Sequence, residues 1–207
     1  ADLAALADAL AAPAGELLTS GWNANGQLGH GDLHTRLSPQ RVGGLDGVTA
    51  VACGSRATIV LAHGQVYSFG RGDDGQLGQG DRMLGKKPAL VANLAGVDVV
   101  AIACRGAHCL ALSREGELFA WGNNAEGQCG TGSTRILRTP TFVSSLRNVV
   151  VTRVACGRQH SLALSAASAL YSWGSNEDGA TGVGKARGQT PRPQRVGALA
   201  SVTVTAI

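Results

Sequence analysis

The chain has 207 residues, of which 44% are apolar and only 15% charged, a composition that excludes a disordered, highly charged polymer and fits a folded body. No apolar run reaches the length of a membrane span, and the N-terminus lacks the basic start and apolar core of a secretory signal, so the chain reads as soluble and intracellular. The net charge of +4 divides unevenly: residues 1–103 hold 7 Lys/Arg against 9 Asp/Glu and residues 104–207 hold 11 against 5, which makes the second half the one suited to an acidic protein or a nucleic acid.

Residues 1–13 stand apart from the remainder of the chain. Leu3, Leu6 and Leu10 have helical spacing ahead of Pro13, which favours a short helix, whereas the register of the downstream repeats calls for a strand. Residues 14–207 form the second unit, built on a period of about 50 residues. Its most regular element is a Gly-rich segment that begins at Gly21, Gly70, Gly122 and Gly174 and contains Gly26-Gln27-Leu28-Gly29, Gly75-Gln76-Leu77-Gly78, Gly127-Gln128-Cys129-Gly130 and, more loosely, Gly179-Ala180-Thr181-Gly182. A second element keeps step with it: Val51-Ala52-Cys53, Ile102-Ala103-Cys104 and Val154-Ala155-Cys156, each leading to an alternating apolar stretch, such as Leu110-Ala111-Leu112. A third ends in an aromatic residue: Val66-Tyr67-Ser68-Phe69, Leu118-Phe119-Ala120-Trp121 and Leu170-Tyr171-Ser172-Trp173.

One period therefore holds several short strands separated by Gly-based turns, the content of a propeller blade, whose small sheet buries its faces only against its neighbours. Phe69, Trp121 and Trp173 are expected to fill the space between blades. Cys53, Cys104 and Cys156 read as buried small hydrophobes.

The pairing of aromatic-Gly-x-Asn-x-x-Gly-Gln-Leu-Gly-x-Gly with Ala-Cys-Gly-x-x-His-x-Leu-Ala-Leu resembles the regulator of chromosome condensation repeat over roughly residues 14–207. The resemblance implies an all-β fold, a β-propeller of four-stranded blades with about four repeats present, in a family whose propellers commonly have seven. Seven blades at this spacing need about 350 residues. The chain is therefore read as a propeller segment, with a closed four-blade ring or a ring completed by a second copy as alternatives.

Several strings that look chemical are explained by the repeat. Gly70-x-Gly72-x-x-Gly75 matches a dinucleotide fingerprint, and Gly179 to Gly184-Lys185 comes near a phosphate loop, but neither sits before a helical pattern, and Ala186 replaces the magnesium-binding hydroxyl. His108 and His160 share one repeat position, filled in the previous repeat by Ala57 or Thr58, and read as structural. No Cys or His cluster has metal-ligand spacing, and Asp73-Asp74 and Glu177-Asp178 read as solvated turn residues. No catalytic residue, metal or cofactor is expected.

Binding residues should then lie where repeats differ. The pairs before the His position vary: Ser55-Arg56, Gly106-Ala107 and Arg158-Gln159. In a light-sensing plant relative of the family this position carries tryptophans and arginines, and Trp is absent from it here. Trp22 is a lone aromatic at a variable turn position and a candidate anchor. Lys185, Arg187, Arg192 and Arg195, in the long connection after the last Gly-rich turn, make a candidate basic patch with Arg135, Arg138 and Arg158. The function expected is a non-enzymatic protein-binding scaffold. The resemblance offers two alternatives, nucleotide exchange on a Ran-like small GTPase and chromatin-associated binding, and the near-constant repeat length leaves little room for the inserted wedge that exchange relies on.

Overall fold

A computed structural model describes residues 15–184 and 188–207. The segment expected to be helical, residues 1–13, lies outside them, as do Lys185 and Arg187. The described residues form an arc of antiparallel sheets stacked face to face. The first is a two-stranded sheet of β1 (Leu18–Gly21) and β2 (Arg36–Arg41). Three meanders of four strands come next: β3 (Val48–Cys53), β4 (Ala57–Ala62), β5 (Gln65–Arg71) and β6 (Leu84–Leu90); β7 (Val99–Arg105), β8 (His108–Ser113), β9 (Leu118–Gly122) and β10 (Leu137–Phe142); β11 (Val151–Cys156), β12 (His160–Ser165), β13 (Leu170–Ser175) and β14 (Gln189–Arg195). This is the expected propeller, with three complete blades and two strands of a fourth.

The outermost strands β6, β10 and β14 occupy the long connections after the Gly-rich turns. Each carries proline, at Pro88, Pro140, and Pro191 with Pro193, and β2 carries Pro39. Proline argues against a strand because it cannot donate to a ladder, yet at a sheet edge the missing donor faces outward. Arg192 and Arg195 thus lie on an edge strand and not in a loop, a correction to the sequence expectation.

Burial is deepest in the inner hairpins. Every residue of β4 and β8 is buried, because both faces of these strands lie between neighbouring blades. Three apolar clusters fill the joints. Leu17, Val42, Val60 and Phe69 close the first, Ile59, Leu61, Val66 and Trp121 the second, and Leu110, Leu112, Ala163 and Trp173 the third. Short 3-10 turns between blades, at Ala92–Leu94 and Ser144–Leu146, press Leu94 and Leu146 into those joints.

The aromatic position ties each blade to the Gly-rich turn of the one before. Phe69, Trp121 and Trp173 are wholly buried. A Cβ placed on Gly29, Gly78 or Gly130 would lie 2.8, 2.9 or 2.8 Å from those rings, and all three glycines have positive φ, so no other residue suits that turn. Among the repeat cysteines, Cys53 is exposed and Cys104 and Cys156 are half-buried, whereas the irregular Cys109 and Cys129 are fully buried. The buried expectation for the three regular cysteines is corrected for Cys53, which ends the inner strand β3 and is exposed among the described residues.

Candidate functional site

The three variable pairs fall in the turns β3–β4, β7–β8 and β11–β12, which succeed one another along one end of the inner hairpins. Because the blades stack in register, Ser55 and Arg56, Gly106 and Ala107, and Arg158 and Gln159 line a single cavity of about 330 Å³. The first two turns are bonded to each other: the Ser55 N–H donates to Gly106 O at 2.8 Å. The middle pair has almost no side chain, so Arg56 and Arg158 flank an opening that the central blade leaves clear. Both are exposed, and among the described residues neither has an ion-pair partner.

Arg71 at the end of β5, Asp74 and Gln76 from the Gly-rich turn that follows it, and Asn123 and Gln128 from the turn after β9 complete the lining. Sequence reasoning alone misses these five: Gln76 and Gln128 sit inside the regular motif, and Arg71 and Asn123 share the variable position of Trp22, where the aromatic alone stood out as an anchor. Arg71 pairs with Asp73, and this guanidinium holds the Asp73 carboxyl below its usual range. Asp73 and Asp74 are therefore half-buried parts of a charged lattice and not simply solvated turn residues. Asn123 donates from Nδ2 to Asp74 Oδ1 at 3.4 Å, and its own Oδ1 accepts from Gln128 Nε2 at 3.0 Å, which stiffens the cavity wall between two blades.

Beneath Ala107, His108 is buried and its Nε2 lies 2.9 Å from Ser161 Oγ of the next blade, while that hydroxyl donates to Gln128 O at 2.8 Å. With the serine proton committed to Gln128, the imidazole is the donor. Burial, reinforced by His160, pushes the His108 pKa down to about 4, so the ring is neutral near pH 7 and acts as a blade-to-blade strut.

Trp22 lies next door. It is 55% exposed and borders a more apolar cavity of about 370 Å³ with Leu17, Leu18, Val51 and Cys53, and Ser55 and Arg56 form the wall shared with the first cavity. The expected basic patch is not gathered at this site. Arg192 packs beside Gly132 on the outer strand, Arg195 borders a separate hollow with Asn148, Ser165 and Tyr171, and Arg138 is paired with Asp81 at 3.4 Å. Among the described residues no three His, Cys, Asp or Glu side chains gather in a way that could hold a metal, and no helix is long and apolar enough to cross a membrane.

The stacked meanders, with glycine turns clasped by aromatic residues, define an arc of a repeat-built β-propeller with a polar cavity at the inner ends of its blades. The chain belongs to the regulator of chromosome condensation (RCC1) repeat family: the repeat model matches residues 14–61, 63–112 and 115–164, and a second RCC1 repeat model matches 99–128 and 151–180. Each match to the first model runs from the outer half of one blade into the inner half of the next, so the sequence repeat itself staples neighbouring blades together.

Among similar proteins, the Ultraviolet-B receptor UVR8 of Arabidopsis thaliana is 35% identical over 175 residues, 82% of this chain and 40% of the receptor. The human E3 ubiquitin-protein ligase HERC2 is 39% identical over 175 residues, 82% of this chain and 4% of the ligase. Human WBSCR16 superposes with a TM-score of 0.77 at 30% identity, over 86% of this chain and 46% of that one. Yeast RCC1 (Prp20), in its complex with Kap60, gives a TM-score of 0.77 at 28% identity over 88% and 44%. The chain thus spans less than half the length of each of these relatives.

Proposed function

We propose that the chain is a non-enzymatic protein-binding module that engages an acidic partner at the inner-end cavity, with Trp22 as a neighbouring apolar anchor. The observation that carries this reading is that the residues most variable between repeats, contributed by three successive blades, line one cavity and leave Arg56 and Arg158 without ion-pair partners among the described residues. Unpaired guanidinium groups on a rigid scaffold suit planar anions such as carboxylates. A large exposed indole beside an arginine is a composition favoured at interface anchors.

The test is an affinity capture from a cell extract with immobilised wild type, an R56E/R158E double variant and an R192E/R195E double variant. Acidic proteins should be depleted from the first double variant and retained by the second. Identical protein sets on all three would rule out the cavity as the binding site. Nucleotide exchange on a small GTPase is the second reading. It is favoured by the likeness to yeast Prp20p, whose structure was described with its binding to Gsp1p and histones, at a TM-score of 0.76 and 27% identity. A nucleotide-release assay on a Ran-type GTPase separates the two, since a scaffold leaves the release rate unchanged.

A further inference from the structure

The Gly-rich turn that forms one wall of the cavity departs from its own repeat. In the turns after β1 and β9, an Asn caps the loop: Asn23 Oδ1 accepts Leu28 N–H and Asn124 Oδ1 accepts Cys129 N–H, each at 2.9 Å. The recurrent Gln is then satisfied locally, Gln27 Oε1 by Asn25 N–H at 2.9 Å and Gln128 Oε1 by Glu126 N–H at 2.8 Å. In the turn after β5, Gly72 stands at the Asn position and Asp73 stands where the others have Ala24 and Ala125. The Asp73 carboxylate is held by Arg71 through Oδ2, and its buried Oδ1 has no hydrogen-bond partner. Gln76 is left with an Oε1 that has no hydrogen-bond partner although the residue is only 3% exposed and lines the cavity.

A buried acceptor without a donor costs about 1–3 kcal/mol, and such a group in a native protein calls for a reason. Here Gln76, the residue that carries this buried acceptor, lines the same cavity as Arg56 and Arg158, while Asp74 is engaged by Asn123 and lies near Arg71. The cavity thus asks a ligand for an anion and for an N–H donor at once. Inorganic phosphate offers the first alone. An acidic peptide offers both, a side-chain carboxylate and a main-chain N–H, and a cavity of about 330 Å³ admits a short segment of one.

We infer that the cavity is a receptor for an extended acidic peptide segment, with its carboxylate between Arg56 and Arg158 and a main-chain N–H donated to Gln76 Oε1. This rests on the binding-module reading and names what that site recognises.

The experiment is fluorescence anisotropy with the full chain and a labelled, C-terminally amidated peptide of Asp and Glu between glycines, beside the same peptide N-methylated along its backbone. Arg56→Ala and Arg158→Ala should each weaken the first peptide roughly 10-fold or more, and Gln76→Leu roughly 2- to 10-fold with no loss of thermal stability. The N-methylated peptide should bind more weakly to wild type and be insensitive to Gln76→Leu. Equal binding of the first peptide to wild type and Gln76→Leu overturns the N–H contact, and displacement by phosphate at the concentration at which the peptide itself competes overturns the peptide assignment. No peptide binding, with acidic proteins still lost from the R56E/R158E capture, overturns this inference alone; loss of both results overturns the binding-module reading as well.

Discussion

The indole N–H of Trp121 donates to the main-chain carbonyl of Gln76 at 3.0 Å, across the joint between two blades, and Trp173 repeats the contact with Gln128 O at 2.8 Å. One residue thus serves two purposes: the backbone of Gln76 anchors the next blade while its side chain lines the cavity. The site is therefore built onto the joint that holds the arc together.

Removing the clasp should be costly. Trp121→Ala deletes a fully buried ring and is expected to lower stability by about 3–5 kcal/mol, a large part of a domain's margin. Trp121→Phe keeps most of the volume and loses the hydrogen bond, which should cost less. Urea denaturation with the midpoint compared among the three proteins checks the order.

Gly130 and Gly182 separate backbone strain from ring contact. Both have positive φ, but a Cβ on Gly130 would lie 2.8 Å from the Trp173 ring, whereas on Gly182 it would meet only Val196, at 3.6 Å. Gly130→Ala should destabilise by more than about 1 kcal/mol and Gly182→Ala by less, read from thermal melts.

Acid should loosen the joint between the blades that contain β8 and β12. His108 has a folded pKa of about 4, below its unfolded value of about 6.5, so its contribution to stability is complete above pH 6.5 and is lost as pH falls toward 4. The change is on the order of 3 kcal/mol for this buried ring. In His108→Gln the fall in stability between pH 7 and 4.5 should be distinctly shallower than in wild type. His160, lowered by burial and by Arg105, supplies part of the residual slope.

Cysteine reactivity should track burial. Iodoacetamide is expected to modify Cys53, the exposed thiol, first. Cys109 and Cys129 should resist until the protein unfolds, since both are inaccessible and burial raises their pKa values, that of Cys129 to about 12. Peptide mass spectrometry over a time course gives the order.

The blades are legible in the sequence because each joint needs the same atoms about every 50 residues: an aromatic ring, a glycine to receive it, and an apolar inner hairpin. Arg56 and Arg158 are legible for the opposite reason, being places where the repeat changes. The edge strands are hidden by their prolines, whose meaning depends on an edge that sequence does not display. Arg71 and Asp74 sit at variable positions of the turn, Arg71 at that of Trp22, but Gln76 is hidden inside the regular motif. Its signal is present in Gly72 and Asp73, which replace the capping Asn and a small Ala, but the consequence, a glutamine without a local donor, needs the hydrogen bonds of three turns side by side. The cysteine regularity misleads for a related reason, since the same repeat position at the end of an inner strand is exposed at Cys53 and only half-buried at Cys104 and Cys156.

Amide nuclear magnetic resonance spectra of the chain, recorded during titration with the acidic peptide, locate the binding site most directly. Shifts concentrated at Ser55, Gln76, Gly106, Ala107, Asn123 and Gln159, with β14 unmoved, are the expected result. Shifts centred on Arg192 and Arg195, with the cavity amides unchanged, would contradict the assignment of the cavity as the receptor.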